Sequence, residues 1–194
     1  MNKKKMGVKD LINTGIYTVI HLVLFIVAGL LSYVPIFSFL FPIIIAILCG
    51  IPFVLFLTKA KTFGMITIMG TLLGLIIFAM GQGFYAIITG VICGFIADLI
   101  HKAGEYKSWK HMVASFCVFS EWAIGSMLPM WILKDSFFET TRKMQGDAFV
   151  DALEPLITVG GLALLIVLTV AGALVGAFIG KAVLKKHFVR AGIV

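Results

Sequence analysis

The sequence contains little charge and lacks the residue patterns of a soluble enzyme. Only 13% of its 194 residues are Asp, Glu, Lys or Arg, and 61% are apolar, whereas soluble domains average about 25% charged residues. A disordered chain would carry more charge, and a water-soluble globule of this size could not bury so much apolar surface. The composition therefore excludes both classes and indicates an integral membrane protein.

Motifs for metal binding, nucleophilic catalysis and ATP hydrolysis are also missing. The three cysteines lie inside apolar runs without Cys-x-x-Cys spacing, so we interpret them as packing residues. The four histidines form no HExxH motif, and no GxxxxGK followed by Ser or Thr is present. Gly125-Ser126 lies outside any GxSxG frame. We therefore expect no enzyme activity, no metal site and no cofactor in this chain.

Long apolar runs are abundant instead. A helix needs roughly 20 residues to cross about 30 Å of hydrocarbon. Six runs are close to that length, at residues 11–31, 39–57, 62–80, 84–100, 112–133 and 155–184. The first is too long for the apolar part of a secretory signal, so we retain it as a span. The sequence thus predicts an all-α integral membrane protein with a single domain over residues 1–194, a bundle of six transmembrane helices.

The basic residues fall in alternate connections between these runs. Three, Lys134, Arg142 and Lys143, lie in one set of connections. Thirteen lie in the other set, which includes both ends of the chain: Lys3, Lys4, Lys5, Lys9, Lys59, Lys61, Lys102, Lys107, Lys110, Lys181, Lys185, Lys186 and Arg190. The positive-inside rule then predicts that both termini are cytoplasmic. Topology and anionic lipid headgroups account for the net charge of +7, so no nucleic-acid partner is expected.

One connection, Lys134–Glu154, is longer than usual and mixes aromatic residues with charges. Phe137, Phe138 and Phe149 favour a short amphipathic helix or a lid over the outer face. An ordinary solvated loop is the alternative.

Small residues at four-residue spacing mark faces where helices approach closely in lipid. The sixth run has Gly172, Gly176 and Gly180, and the third has Gly70 and Gly74. These faces form tight helix pairs inside one bundle or contacts with a partner subunit. The first run has a weaker pattern, Gly15 with Val19, which matters only if a partner docks there.

Two ionisable residues lie deep inside predicted spans, where such groups are costly and usually functional. Glu121 is the main candidate, and its alternative is a proton-bearing or hydrogen-bonded packing residue. His21 has the alternative of a satisfied interhelical hydrogen bond. Residues on the face of Glu121 or at the predicted outer ends of the runs would line a cavity open to the outside: Gly125, Trp131, Gln82, Tyr85 and Thr158. For Trp131 and Tyr85 the alternative is the interfacial aromatic belt.

The chain also resembles a known family. Its length, basic amino end, six spans and basic carboxy-terminal segment Gly180–Ile193 (GKAVLKKHFVRAGI) are similar to the Trep_Strep family, S components of energy-coupling factor (ECF) transporters. The resemblance covers essentially the whole chain, and its most specific part is the tail from Lys185 to Ile193.

This resemblance implies a six-helix S component in a bacterial cell membrane. Such a subunit captures a vitamin or another micronutrient at the outer face and topples while docked on a transmembrane coupling protein driven by two ABC ATPases. The ligand lies under the first, third and fifth connections, here Ser32–Ser38, Gly81–Gly83 and Lys134–Glu154. That position adds Tyr33 to the candidate ligand contacts.

The docking face implied by the resemblance is only partly present. Many S components carry an AxxxA pattern on the first helix, and the nearest spacing here is Gly15-x-x-x-Val19. Small residues of the second and third spans, including Gly70 and Gly74, would share the docking face.

Two other functions stay open on the sequence alone. One is a small membrane enzyme acting on lipid, with Glu121 and His21 as acid and base. The other is a self-sufficient channel or proton-coupled carrier. No internal duplication is visible, which argues against an inverted-repeat carrier.

Overall fold

The computed structural model describes residues 6–185, and within that range the protein is α-helical with no strand. Ten α-helices follow one another: α1 Val8–Gly29, α2 Pro35–Phe39, α3 Phe41–Lys59, α4 Met65–Ala79, α5 Tyr85–Ala103, α6 Trp109–Ser120, α7 Pro129–Ile132, α8 Lys134–Gln145, α9 Asp147–Leu153 and α10 Val159–Val183. Short 3₁₀ segments occupy Leu30–Tyr33, Glu121–Ser126 and Glu154–Leu156. Lys3, Lys4, Lys5 and the basic tail from Lys186 onward lie outside the described residues.

Four helical segments are long and apolar enough to cross a membrane, judged by length and composition. They are Val8–Tyr33, Phe41–Lys59, Tyr85–Ala103 and Val159–Val183. Helix α4 is apolar but has only 15 residues, and α6 has 12. The predicted all-α membrane class is therefore confirmed. The count of six crossings and the sidedness of the termini stay predictions.

The fifth apolar run, residues 112–133, is not one continuous helix. Helix α6 ends at Ser120, the 3₁₀ segment Glu121–Ser126 follows, and α7 begins at Pro129. Pro129 has no N–H to continue a helix, and it occupies the first turn of α7, where that loss costs nothing. Gly125 packs so closely on α5 that a Cβ would overlap Thr89. The tight contact lies within the 3₁₀ segment, and the proline begins the helix that follows it.

Glycines bring two pairs of helices into close contact. A Cβ on Gly180 of α10 would lie 2.7 Å from the backbone O of Gly50 in α3. A Cβ on Gly74 of α4 would lie 2.6 Å from the backbone O of Ala86 in α5, and one on Gly70 would overlap Gly90. The small-residue faces of the third and sixth runs are thus used inside the bundle, and Gly70 and Gly74 are not on a surface where a partner docks.

Helix α1 is divided into a buried and an exposed face. Tyr17, His21 and Phe25 are buried against the rest of the bundle. Val19 and Val23 belong to the opposite face and are 57% and 52% exposed. An apolar exposed face of this kind suits contact with lipid chains.

The connection Lys134–Glu154 folds as the helices α8 and α9, so the helical alternative applies rather than an ordinary loop. Phe138, Phe149 and Val150 are buried beneath these helices, and α9 packs on α2. On the exposed side Arg142 contacts carboxylates of Asp147, Asp151 and Glu154 at 2.9, 3.1 and 3.6 Å. We call the end of the bundle that carries α8 and α9 the cap end.

Near the opposite end, Asp98 of α5 caps the first turn of α4. Its Oδ2 accepts hydrogen bonds from the backbone N and the Oγ1 of Thr67, at 2.7 and 2.6 Å. His101 Nε2 lies 3.0 Å from the backbone O of Ala60. Both side chains are 1% exposed. They fasten the connection between α3 and α4 to α5.

Candidate functional site

A cavity of about 500 Å³ opens at the cap end, where three connections meet. Its residues come from α1, from the segment between α1 and α3, from the turn between α4 and α5, and from the stretch leading into α8. They are Phe25, Gly29, Ser32, Ser38, Phe41, Gly81, Gln82, Gly83, Ser126, Met127, Pro129, Met130, Leu133 and Phe137. The volume falls in the range of about 300–1,000 Å³ that is usual for small-molecule sites.

The inner wall of the cavity consists of buried apolar side chains. Phe25, Phe41 and Met127 are 3%, 6% and 4% exposed. The rings of Phe25 and Phe41 meet edge to face with centroids 4.8 Å apart, and Trp122 lies behind Phe25 at 5.6 Å. Edge-to-face pairs of this kind hold aromatic side chains in defined orientations. The wall is therefore packed into shape before any ligand enters.

The rim includes the turn between α4 and α5. Gly81 and Gly83 have φ values of +89° and +82°, which a residue with a Cβ adopts only with strain. These two glycines place the side chain of Gln82 at the mouth of the cavity, where it is exposed. The sequence Gly-Gln-Gly is thus a local requirement of the turn that presents one amide to the site.

Four polar side chains line the cavity: Ser32, Ser38, Gln82 and Ser126. The hydroxyl of Ser126 donates to the backbone O of Ala123 at 2.8 Å. Ser38 is 7% exposed, and within residues 6–185 its hydroxyl has no hydrogen-bond partner. A hydroxyl that lines a cavity and has no protein partner remains available to a ligand.

The predicted ligand contacts separate into two groups in the structure. Gln82 lines the cavity. Tyr85 lies close by and stacks on Phe84 with ring centroids 4.3 Å apart. Tyr33 belongs to the same connection as Ser32, but it is 74% exposed and is not part of the lining.

Trp131 and Thr158 are brought together, although neither lines the cavity. The indole Nε1 of Trp131 donates to the backbone O of Thr158 at 2.8 Å. The hydroxyl of Thr158 in turn accepts from the backbone N of Gly161 at 2.9 Å and caps α10. These two residues therefore tie the segment after the cavity wall to the start of the last helix.

Neither Glu121 nor Gly125 is part of the cavity lining, and Gly125 packs against Thr89 and Ala86 of α5. Both carboxylate oxygens of Glu121 are buried, and none of the described residues offers them a hydrogen bond. Within electrostatic range of this carboxyl are two thiols, those of Cys93 in α5 and Cys117 in α6. The structure therefore separates Glu121 from Gln82, with which the sequence grouped it in one pocket.

His21 lies in the aromatic core of the bundle. Its Nδ1 is 2.9 Å from the backbone O of Tyr17, one turn earlier in α1, so this bond lies within one helix. Its ring contacts Phe53 and Phe119 edge to face, at 5.8 and 6.3 Å between centroids. Nε2 is buried without a partner among the described residues.

Of the predicted docking residues, only Gly15 and Val19 remain on the surface. A Cβ on Gly15 would meet nothing within 4 Å, and Val19 is 57% exposed. Across residues 6–185, no group of three His, Cys, Asp or Glu side chains is placed to hold a metal ion.

Sequence reasoning missed most of the residues that form the cavity. Phe25, Phe41 and Met127 lie within or beside apolar runs, where nothing distinguishes a residue facing a cavity from one facing lipid. The connections implied by the resemblance were the useful signal, because Ser32, Ser38, Gln82 and Phe137 belong to them and all line the site.

Comparisons with known proteins place the chain in a family without supplying a characterised relative. No curated protein and no solved structure matches the sequence. The family described as "Hypothetical bacterial integral membrane protein (Trep_Strep)" matches residues 8–190, nearly the whole chain. The apolar helical bundle agrees with that description. The chain therefore belongs to the Trep_Strep family of bacterial integral membrane proteins.

Proposed function

We propose that this protein is the substrate-binding subunit, or S component, of an ECF-type ABC importer in a bacterial cell membrane. In this proposal the chain crosses the membrane six times with both termini in the cytoplasm, and the cap end faces outward. It captures a vitamin-like or other micronutrient molecule there. The single observation that carries the proposal is the cavity in which the connections around Ser38, Gln82 and Phe137 meet.

The shape of the cavity supports capture of a small molecule. Its inner wall is buried and aromatic, its rim carries Gln82, and α8 with α9 lies beside the opening. Binding sites for small molecules combine an apolar lining with a few placed polar groups in the same way. Because the inner wall is closed by buried side chains, a ligand would enter the cavity from the cap end.

The energy for transport comes from partners in this proposal. The chain has no phosphate-binding loop, so a transmembrane coupling protein and two ABC ATPases supply ATP hydrolysis. The ligand influences docking only if it binds the docked and undocked states with different affinity. A cavity built partly from the ends of α1 and α3 links ligand contacts to the helices that a partner would touch.

The exposed face of α1 is the proposed docking surface. Gly15 leaves open space beside the helix, and Val19 lies one turn further along the same face. A partner helix can approach closely at a glycine even without the AxxxA pattern.

The arrangement of Glu121 and His21 favours a transporter over a lipid-modifying enzyme. Acid and base must both reach the reacting atoms of one substrate. His21 contacts Phe53 and Phe119, whereas the neighbours of Glu121 are Cys93 and Cys117. Neither group lines the cavity.

Affinity purification of the full chain from its own membranes in mild detergent tests the proposal. The expected result is that a transmembrane protein and two ATPases co-purify, and that Val19→Trp reduces their recovery. Val91→Trp, at an exposed valine of α5, is the matched control and retains them. If the membranes contain the coupling protein and the ABC ATPases and the chain is nevertheless recovered without any ATPase, the proposal is contradicted.

A further inference from the structure

We infer that the cavity at the cap end takes an electrically neutral, largely apolar molecule that carries a ring or a compact hydrocarbon body and at least one hydrogen-bonding group. This inference rests on the proposed function, because it treats the cavity as the ligand site. The observation behind it is the composition of the lining: within the described chain, no Asp, Glu, Lys, Arg or His side chain faces the cavity.

Charged side chains near the cavity are either paired with one another or absent from its lining. Lys134, which follows the lining residue Leu133, forms an ion pair with Glu154 at 3.4 Å. Glu154 also contacts Arg142 at 3.6 Å. Glu121 is not part of the lining. A charged ligand would therefore find no counter-ion in the wall.

Helix α3, one of the helices that begin beside the cavity, does not compensate for this lack. Helix α3 starts at Phe41, and Pro42 supplies no N–H. The N–H groups of Ile43 and Ile44 already donate to the backbone O of Leu40, at 3.1 and 3.2 Å. The usual cluster of free N–H groups that binds an anion at a helix N-terminus is absent at this position.

Aromatic, thioether and hydroxyl groups make up what the cavity does offer. Phe25, Phe41 and Phe137 present ring surface, and Met127 and Met130 adapt to irregular apolar shapes. Ser38 and Gln82 supply hydrogen-bonding groups without other protein partners in residues 6–185. The lining therefore matches an uncharged ligand that has both an apolar body and a polar substituent.

The energetic penalty for a charged ligand is the reason for the selectivity. Moving an ion out of water without a partner costs several kcal/mol even after the surroundings relax. Moving a neutral amide into the cavity costs much less free energy, because Ser38 or Gln82 can replace the hydrogen bonds that the amide made to water. Two molecules that differ only in charge should therefore differ strongly in affinity for this site.

The test uses a cysteine at the cavity wall and three probes with the same ring. Ser32→Cys, in the lining, is introduced into the full chain with Cys49→Ala, Cys93→Ala and Cys117→Ala, and the protein is placed in lipid nanodiscs. Its labelling by N-ethylmaleimide is timed with indoleacetamide, indoleacetate or tryptamine present. We expect indoleacetamide to protect the thiol at concentrations more than about tenfold lower than either charged probe. Leu133→Cys, elsewhere in the lining, provides a second reporter of the same site.

Ser136→Cys in the same background is the control, because Ser136 is exposed on α8 and does not line the cavity. None of the probes should change its labelling. Equal protection by the three probes, stronger protection by a charged one, or protection by none would overturn the inference. Co-purification of ATPases tests the proposed function separately. Selective protection without co-purifying ATPases would support the neutral site and contradict the importer. Co-purifying ATPases without selective protection would support the importer and contradict the neutral site.

Discussion

Trp131 and Thr158 are joined by a hydrogen bond from the indole Nε1 to the backbone O, 2.8 Å long. The residues are far apart in sequence, with α8 and α9 between them. The bond therefore joins the two ends of the segment that carries α8 and α9, which we call the cap segment. It gives the tryptophan a structural task near the site, where the sequence predicted a contact with the ligand.

Trp131→Phe tests this task. The variant keeps an aromatic ring and loses the donor, so the free energy of unfolding should fall by about 1 kcal/mol. Trypsin should cleave the cap segment faster, because its base is no longer held. Trp109→Phe, at the opposite end of the bundle, is the control and should leave cap cleavage unchanged. If Trp131→Phe preserves cap protection and instead abolishes ligand binding, the ligand-contact interpretation is correct.

Ser38→Leu should empty the site of its ligand. The larger side chain fills part of the cavity and removes an unpaired hydroxyl, so affinity should drop by more than about tenfold. Native mass spectrometry of the gently purified protein measures the fraction that carries a small molecule. Ser136→Leu makes the same change on the exposed side of α8 and should retain the ligand. Equal occupancy in both variants would remove the cavity from consideration.

Glu121→Gln should leave ligand affinity unchanged. The carboxyl does not line the cavity, and its neighbours are Cys93 and Cys117. Titration of the purified variant with the co-purified ligand, compared with the parent protein, measures the effect. A large loss of affinity with a normal unfolding temperature would restore Glu121 to the site and require a different cavity.

Gly176→Ala should destabilise the bundle. A Cβ at this position would lie 2.5 Å from the backbone O of Ala46, and backbone cannot move aside as a side chain can. The expected cost is about 1–3 kcal/mol, read as a lower unfolding temperature in detergent. Gly15→Ala is the control, because a Cβ there meets nothing and alanine favours the helix by up to about 1 kcal/mol. Similar unfolding temperatures for the two variants would contradict close contact between α3 and α10.

Arg142→Gln should loosen the cap segment without affecting the bundle. The hydrogen bond to Asp147 raises the pKa of the Arg142 guanidinium above its ordinary value, so the contribution is present throughout neutral pH and is lost only at very alkaline pH. Raising the salt concentration should therefore mimic the variant, whereas moderate alkalinity should not. Hydrogen exchange of α8 and α9 measures this. Lys143→Gln, which disrupts only the contact with Glu139, should have the smaller effect.

The sequence predicts some of these features better than others, for physical reasons. A helix that crosses the hydrocarbon layer must be long and apolar, so the all-α membrane class and most of the long helices could be predicted from the apolar runs. The break after Ser120 could not, because the segment that follows it packs Gly125 against Thr89 of α5, and a contact between distant parts of the chain is not visible in the sequence. The apolar residues facing the cavity could not either, because Phe25 and Val23 look alike until packing decides which one is buried. Glu121 attracted attention as a rare deep carboxyl, and rarity gives no information about which side of a helix faces the cavity.

The 3₁₀ segment Glu121–Ser126 ties the depth of the cavity to the winding of the backbone. A 3₁₀ helix advances about 2.0 Å per residue and an α-helix about 1.5 Å. The six residues of this segment therefore reach about 3 Å further than they would in α-helical form. If the segment became α-helical, Met127 and Met130 would move toward α6 by that distance. The dimensions of the cavity would then change through the pitch of the backbone alone.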